Sequence, residues 1–261
     1  MDLTTAKHAF VTGGASGLGL GMVDAFVRRG IPVTIADIDA DALAAATAAR
    51  GNSVRGVVLD VRDREAWAKA KSEAEAAFGP VDILCCNAGI SPNGREFADM
   101  PPESYDLILA INLGGVANGV FAFASDFRDR KRGHIVCTSS QAGLTTTVGG
   151  IGAYSVAKFG VTALSEQLRT EMAPHGVGVS CLCPGYVATN LAANTVKIGG
   201  DVRKYSDYMP EATIGAAEVG EMVADGIAQN AAHIITHKDV WRGVEKRMSA
   251  IKEACDYRLE H

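Results

Sequence analysis

The chain has 261 residues, 48% of them hydrophobic and 21% charged, with a formal net charge of -5. That is enough apolar material for one large core, and no linker composition divides it, so a single domain over 1–261 is expected. The acidic balance, with no basic run longer than Arg128-Asp129-Arg130-Lys131-Arg132, argues against nucleic acid as a partner. No stretch of about 18 uninterrupted apolar residues and no charged-then-apolar leader follow Met1, which argues against a membrane and points to the cytoplasm.

The first apolar run, His8 to Val11, leads into Thr12-Gly13-Gly14-Ala15-Ser16-Gly17-Leu18-Gly19 and then into a helical pattern over about 17–29. Glycines at such a junction let the backbone turn sharply and approach a pyrophosphate, whose charge the helix N-terminus favours. The spacing is Gly-x3-Gly-x-Gly rather than Gly-x-Gly-x-x-Gly, so the placement between strand and helix carries the inference. A second run, Pro32 to Ala36, ends at Asp37. A carboxylate there accepts hydrogen bonds from the adenosine ribose and repels a 2'-phosphate, which favours NAD over NADP, and Ser16 brings no positive charge to offset it. Asp37 also reads as a plain cap for the helix over about 40–50, and both readings stand at this point.

Further strands are expected at Ser53 to Leu59, Val81 to Cys86, His134 to Thr138 and Val177 to Leu182, with helices over about 63–78, 103–127 and 154–173. Turn signals fall at Gly30, Gly51, Gly79-Pro80 and Gly133. Most of these strands lack polar alternation, as expected where helices cover both faces, so the sheet is expected to be parallel. The pattern is a doubly wound α/β domain with a nucleotide-type crevice at the carboxyl ends of its strands. Cys85, Cys86, Cys137, Cys181 and Cys183 fall in apolar strands and read as reduced core thiols, with Cys255 alone near the end. Cys181-x-Cys183 points two sulfurs to one strand face, where a soft metal is conceivable, but no second pair or histidine cluster completes a ligand set.

Tyr154 and Lys158 share one face of the helix over 154–173. A fixed cation beside a phenol favours the phenolate and brings an ordinary pKa of about 10 toward the working range, which makes the tyrosine a candidate proton-transfer group. The pair Ser139-Ser140 lies just upstream.

From about Phe10 to Thr189 these motifs, in order, resemble the classical short-chain dehydrogenase/reductase family. They are the glycine turn, Asp60-Val61, Asn87-Ala88-Gly89, Asn112, Ser140, Tyr154 with Lys158, and Pro184-Gly185 followed by Thr189. The resemblance implies a Rossmann-like fold and NAD(P)-dependent alcohol or carbonyl chemistry. It assigns Ser140 to the substrate oxygen, Tyr154 to proton exchange, Lys158 to the tyrosine and the nicotinamide ribose, and Asn112 to a water in the proton path. Around the cofactor it places Gly13, Ser16, Gly17, Leu18, Gly19 and Asp37, then Asp60 and Val61 beside the adenine and Asn87, Ala88 and Gly89 along the adenosine side. Pro184 and Gly185 form a turn, and Val187 and Thr189 reach the carboxamide. Two departures stand out. Cys86 replaces a common asparagine, and Ser140 lies fourteen residues before Tyr154, one more than is often seen, so Ser139 stays a second candidate for the serine role.

A substrate wall is expected from Ser91 to Phe97, Gln141 to Gly152 and a lid over about 186–213, whose small neighbours Thr145 to Thr147 and Gly149 to Gly152 leave room for a bulky, lipophilic or aromatic substrate. Lys197, Arg203 and Lys204 read either as contacts for an anionic group or as solvated charges, and Tyr205, Tyr208 and Met209 either as substrate contacts or as lid packing. Val240, Val244, Met248 and Ile251 predict an amphipathic terminal helix over about 238–254. The resemblance also implies a homodimer or homotetramer joined through the helices near 103–127 and 154–173. The main functional expectation is an NAD-dependent dehydrogenase of a secondary alcohol; an NADPH-dependent carbonyl or 3-oxoacyl reductase and a non-catalytic dinucleotide sensor are the alternatives.

Overall fold

The computed structural model describes residues 1–146, 148–203 and 213–259. Its centre is one sheet of seven parallel strands: β1 (Ala9–Thr12), β2 (Val33–Asp37), β3 (Val54–Val58), β4 (Ile83–Cys86), β5 (His134–Thr138), β6 (Gly178–Cys183) and β7 (His233–Ile235). The order is β3-β2-β1-β4-β5-β6-β7, so β1 is flanked by β2 and β4, with Ala9 registered against both Val33 and Ile83. Alternate side chains enter opposite cores, as the two-residue strand period requires. Phe10 joins Trp67, Phe123 and Phe127 on one face, and Val11 joins Met22, Phe26 and Val223 on the other.

On the first face lie α3 (Arg64–Phe78), α5 (Gly115–Arg130) and α6 (Gly152–Met172); on the second lie α1 (Gly17–Arg28), α2 (Ala40–Ala48) and α8 (Ala216–Ala228). This is the doubly wound arrangement expected from the unbroken apolar strands. The helix anticipated over 103–127 is longer and not uniform. It runs as α4 (Pro102–Leu109), a π-turn at Ala110–Gly114 and then α5, a rod apolar and long enough to cross a membrane by composition, half of whose apolar window is buried in this fold. Two helices were not anticipated: α7 (Leu191–Lys197), within the expected lid, and α8, which packs against α1.

The terminal helix α9 (Val240–Leu259) extends beyond the expected 238–254. Its apolar stripe is only partly covered: Val240 and Val244 are half-buried, while Met248, Ile251 and Trp241 are exposed. It meets the body where the Arg247 guanidinium lies 5.0 Å from the Phe159 ring centroid on α6. Thr147, Lys204, Tyr205, Tyr208 and Met209, weighed above as parts of the substrate wall, lie outside the described residues. The five strand cysteines are buried free thiols; Cys86, Cys137 and Cys181 occupy matched positions on three adjacent strands, and the Cys181 and Cys183 sulfurs are 3.6 Å apart. Among the described residues no group of ligating side chains is arranged to hold a metal ion.

Candidate active site

The carboxyl ends of β1, β2, β4, β5 and β6 open on one crevice. At its floor β1 runs into the glycine loop, where Gly13 has φ +61° and a β-carbon on it would stand 2.9 Å from the Ala88 Cα. Only glycine fits that approach. The loop is anchored to β2: Gly13 N–H donates to Ala36 O at 2.8 Å, and Ala15 N–H donates to the Asp37 carboxylate at 3.1 Å. The other Asp37 oxygen accepts from Asp39 N–H at 3.1 Å, but the cap of α2 is Asp39 itself, whose side chain accepts from Ala42 N–H, so Asp37 is not the helix cap. A carboxylate has about four acceptor positions, and two such bonds leave capacity for ribose hydroxyls.

Across the loop, the Thr12 hydroxyl accepts from the Asn87 and Ala88 amides at 2.9 and 3.0 Å. The Asn87 side chain donates to Thr12 O and accepts from the Thr138 hydroxyl, locking the ends of β1, β4 and β5 together. Gly13, Ser16, Gly17, Leu18, Asp37, Asp60, Val61, Asn87, Ala88, Gly89, Pro184 and Thr189 all line the crevice. Three others expected there sit behind its wall. Gly19 is packed against the Gly13 carbonyl, Gly185 donates its N–H to the Thr236 hydroxyl, and the Val187 side chain belongs to the core of the second face.

At the opposite end of the crevice are Tyr154 and Lys158. The Lys158 side chain is 3% exposed, and its ammonium donates to Thr138 O at 2.9 Å and lies 5.4 Å from the Tyr154 ring centroid. Burial pushes Lys158 down to about 8, so its charge is costly and held in place by few groups. The two serines face different ways. Ser139 is buried, with its hydroxyl donating to Lys158 O at 2.8 Å and paired with Thr162 at 2.8 Å, which fastens β5 to α6. Ser140 is half-buried, and among the described residues its hydroxyl accepts only the Ala142 amide, at 3.1 Å; of the two serines it is Ser139 that lines the crevice.

Asn112 lines the crevice, and its side chain is held by one neighbour, accepting from Ile90 N–H at 2.8 Å and donating to Ile90 O at 3.1 Å. It sits in the π-turn, where the displaced helical ladder alters which backbone carbonyls are paired. The side chain fastens the α4–α5 rod to the loop after β4 and, lining the crevice, keeps one acceptor and one donor position beyond these two bonds.

Several crevice residues escaped the sequence reading. Arg62 lines the crevice beside Asp60 and grips it through two nitrogens, with Nε to Oδ1 at 2.9 Å and Nη2 to Oδ2 at 2.6 Å; hydrogen bonding to Arg62 holds the Asp60 carboxyl below its ordinary range. The α7 segment closes over the glycine loop, with Asn194 donating to Ser16 Oγ at 3.1 Å, Ser91 N–H donating to Thr195 Oγ1 at 2.9 Å and Lys197 paired with Asp39 at 3.2 Å. Lys197 and Arg203, weighed as anion contacts, are thus beside carboxylates: Arg203 lies 4.0 Å from Asp201, which also pairs with Arg95. With seven residues, no side-chain cap and only Thr195 buried, α7 gave no periodic signal in the sequence.

Residues 7–198 match the family described as short chain dehydrogenase, and the chain belongs to that family of oxidoreductases, which use nicotinamide dinucleotide cofactors. Over 93% of its length the chain is 34% identical to the C alpha-dehydrogenase of Sphingobium sp. strain SYK-6, covering 84% of that protein. It is 41% identical to a Mycobacterium tuberculosis protein named as an oxidoreductase, EphD, over 71% of this chain but only about a third (32%) of EphD's length. Among solved structures, it resembles a short-chain dehydrogenase/reductase from Burkholderia phymatum in complex with NAD, with a TM-score of 0.88, 28% identity and 97% of each chain covered. It also resembles LigO of Sphingobium sp. strain SYK-6, with a TM-score of 0.84, 30% identity, and 100% and 93% of the two chains covered.

Proposed function

We propose that the protein is an NAD-dependent dehydrogenase interconverting a secondary alcohol and its ketone, on a bulky lipophilic or aromatic substrate. The observation that carries this reading is the buried Lys158 ammonium beside Tyr154; the Ser139 hydroxyl is committed to Lys158 O and Thr162, which leaves Ser140 for the substrate oxygen. Ser140 donates to the substrate oxygen, and Tyr154 takes the hydroxyl proton in oxidation and returns it in reduction. Lys158 stabilises the phenolate by its charge and holds the nicotinamide ribose. As negative charge grows on the substrate oxygen, these fixed donors favour the transition state over the ground state. When bound, the nicotinamide accepts or returns the hydride. Asn112, held in place by Ile90, positions a water in the proton path.

The glycine cradle at Gly13, the helix N-terminus at Gly17 and the carboxylate of Asp37 fit a dinucleotide without a 2'-phosphate. Arg62 is the one feature favouring an NADPH-dependent carbonyl reductase, but its guanidinium is already committed to Asp60. The relative named C alpha-dehydrogenase supports dehydrogenation as the reaction, and the small residues Thr145, Thr146 and Gly149 to Gly152 support a large substrate. The five reduced strand thiols support a cytoplasmic setting. Exposed Phe121 on α5 and Val156 on α6 support a homodimer or homotetramer joined through those helices.

The test is NADH formation from NAD, and separately NADPH from NADP, across aliphatic, aromatic, steroid and hydroxy-acid alcohols. Turnover with NAD on an aromatic alcohol is expected. Preference for NADP, or tight NAD binding without turnover of any alcohol or ketone, would overturn the reading.

A further inference from the structure

Helix α9 lies beyond the stretch that matches the family, residues 7–198, and touches the rest of the fold along a narrow strip. Gly243 sits so close to the loop after β5 that a β-carbon on it would stand 2.8 Å from the Thr145 hydroxyl, and the Arg247 guanidinium rests on the Phe159 ring of α6. Half-buried Val240 lies on the same side, three residues before Gly243.

A second row runs beside this strip. Trp241, Val244, Met248, Ile251 and Cys255 follow at steps of three, four, three and four residues. At about 100° per residue they share one sector of the helix, about 80° wide, next to the docked side rather than under it. Such a 3-4 alternation is the seam that a second helix fills with interlocking side chains. Here it lies open: Trp241 is 61% exposed, Met248 51% and Ile251 43%, and Cys255 is exposed as well.

The charges along the solvent edge of the seam identify the occupant. Glu245, Lys252 and Asp256 stand there, all exposed, in the order negative, positive, negative. Lys252 bonds Asp256 within the helix, an exposed pair that leaves ammonium protons for another carboxylate. An anionic lipid surface calls for a basic edge, which this alternation does not supply. Reversed in direction, however, the edge complements itself. A second α9, turned antiparallel about a two-fold axis between Ser249 and Ala250, sets Glu245 of each copy beside Lys252 of the other. The same turn sets Met248 against Ile251 and Val244 against Cys255. A parallel pair would instead bring Arg247 beside Lys252 of the other copy, like charge against like.

We propose that α9 is a self-association helix, pairing antiparallel with α9 of a second copy of this chain through Val244, Met248, Ile251 and Cys255, with Trp241 closing each end. The pairing is separate from any joint through α5 and α6, and it does not rest on the dehydrogenase reading.

The experiment uses the full chain with Phe121→Glu, which removes association through exposed Phe121 on α5, so failure of that joint leaves the result untouched. Light scattering is expected to give a dimer. Adding Met248→Glu buries two carboxylates near the axis and should weaken the pair about a hundredfold, giving a monomer with unchanged circular dichroism. Val244→Cys should yield a covalent dimer on oxidation with diamide, through Cys255 of the second copy, and Cys255→Ser should abolish it. A monomer before Met248→Glu, a dimer that survives it, or no covalent dimer in Val244→Cys would overturn the proposal. So would a covalent dimer formed by Cys255 alone, the mark of a parallel pair, or one that persists after Cys255→Ser. A monomer that binds phosphatidylglycerol vesicles with a blue shift in tryptophan emission would assign the seam to a membrane instead.

Discussion

Ser139 and Ser140 show what a single residue contributes and what a sequence leaves open. Adjacent serines are equivalent in a string, and only the pairing of Ser139 with Lys158 O and Thr162 separates a structurally committed hydroxyl from the less committed one of Ser140. Ser140→Ala and Tyr154→Phe should each lower kcat by about 10²- to 10⁴-fold with little change in NADH affinity, measured by steady-state kinetics and fluorescence titration. Ser139→Ala should instead lower stability by about 1–2 kcal/mol in urea unfolding and spare most of kcat. A larger kinetic loss in Ser139→Ala than in Ser140→Ala would reverse the assignment. Tyr154 with Lys158 was legible because two chemically distinctive side chains at i and i+4 fix their own geometry. Arg62 was not, because nothing in its spacing says that it would turn back onto Asp60.

At the scale of elements, the fold was largely legible, since buried parallel strands leave unbroken apolar runs and amphipathic helices leave a 3.6-residue period. The π-turn at Ala110–Gly114 was not, because one inserted residue in a helical ladder leaves the apolar period almost intact. Its position has an energetic consequence through Asn112. Asn112→Ala strips both hydrogen bonds from Ile90, leaving a buried N–H and a buried carbonyl without partners. Urea unfolding should show a loss of about 2–4 kcal/mol, and Asn112→Asp should recover only the N–H half of it. An Asn112→Ala variant as stable as wild type would mean that the rod is held by packing alone.

For the molecule as a whole, the two imidazoles at the amino-terminal edge of the sheet shape acid stability. His8 and His134 are buried, and burial lowers both below the ordinary histidine value of 6.5, His134 to about 3. In the unfolded chain they take up protons as pH falls below about 6.5, whereas the folded chain does not. The unfolded state then binds more protons, so stability declines from about pH 6.5 toward 3 and is fully retained above that window. Unfolding at pH 5 and pH 7 should differ by about 2 kcal/mol through His134, with His8 adding in the same direction, and His134→Gln should flatten the slope. A slope identical in His134→Gln and wild type would assign the acid lability to other groups.

The α7 strap touches both banks of the crevice, through Asn194 to Ser16 and Thr195 to Ser91, with Lys197 to Asp39 at its outer edge. A dinucleotide lying beneath it could depart only after these contacts part, whereas a ketone at the far end has its own exit. Turnover would then follow a compulsory order, with cofactor first on and last off, and its pace at saturation would be set by strap opening rather than by bond-making. Thr195→Val, which cuts one tie, would accelerate multiple-turnover kcat while leaving the single-turnover hydride step unchanged.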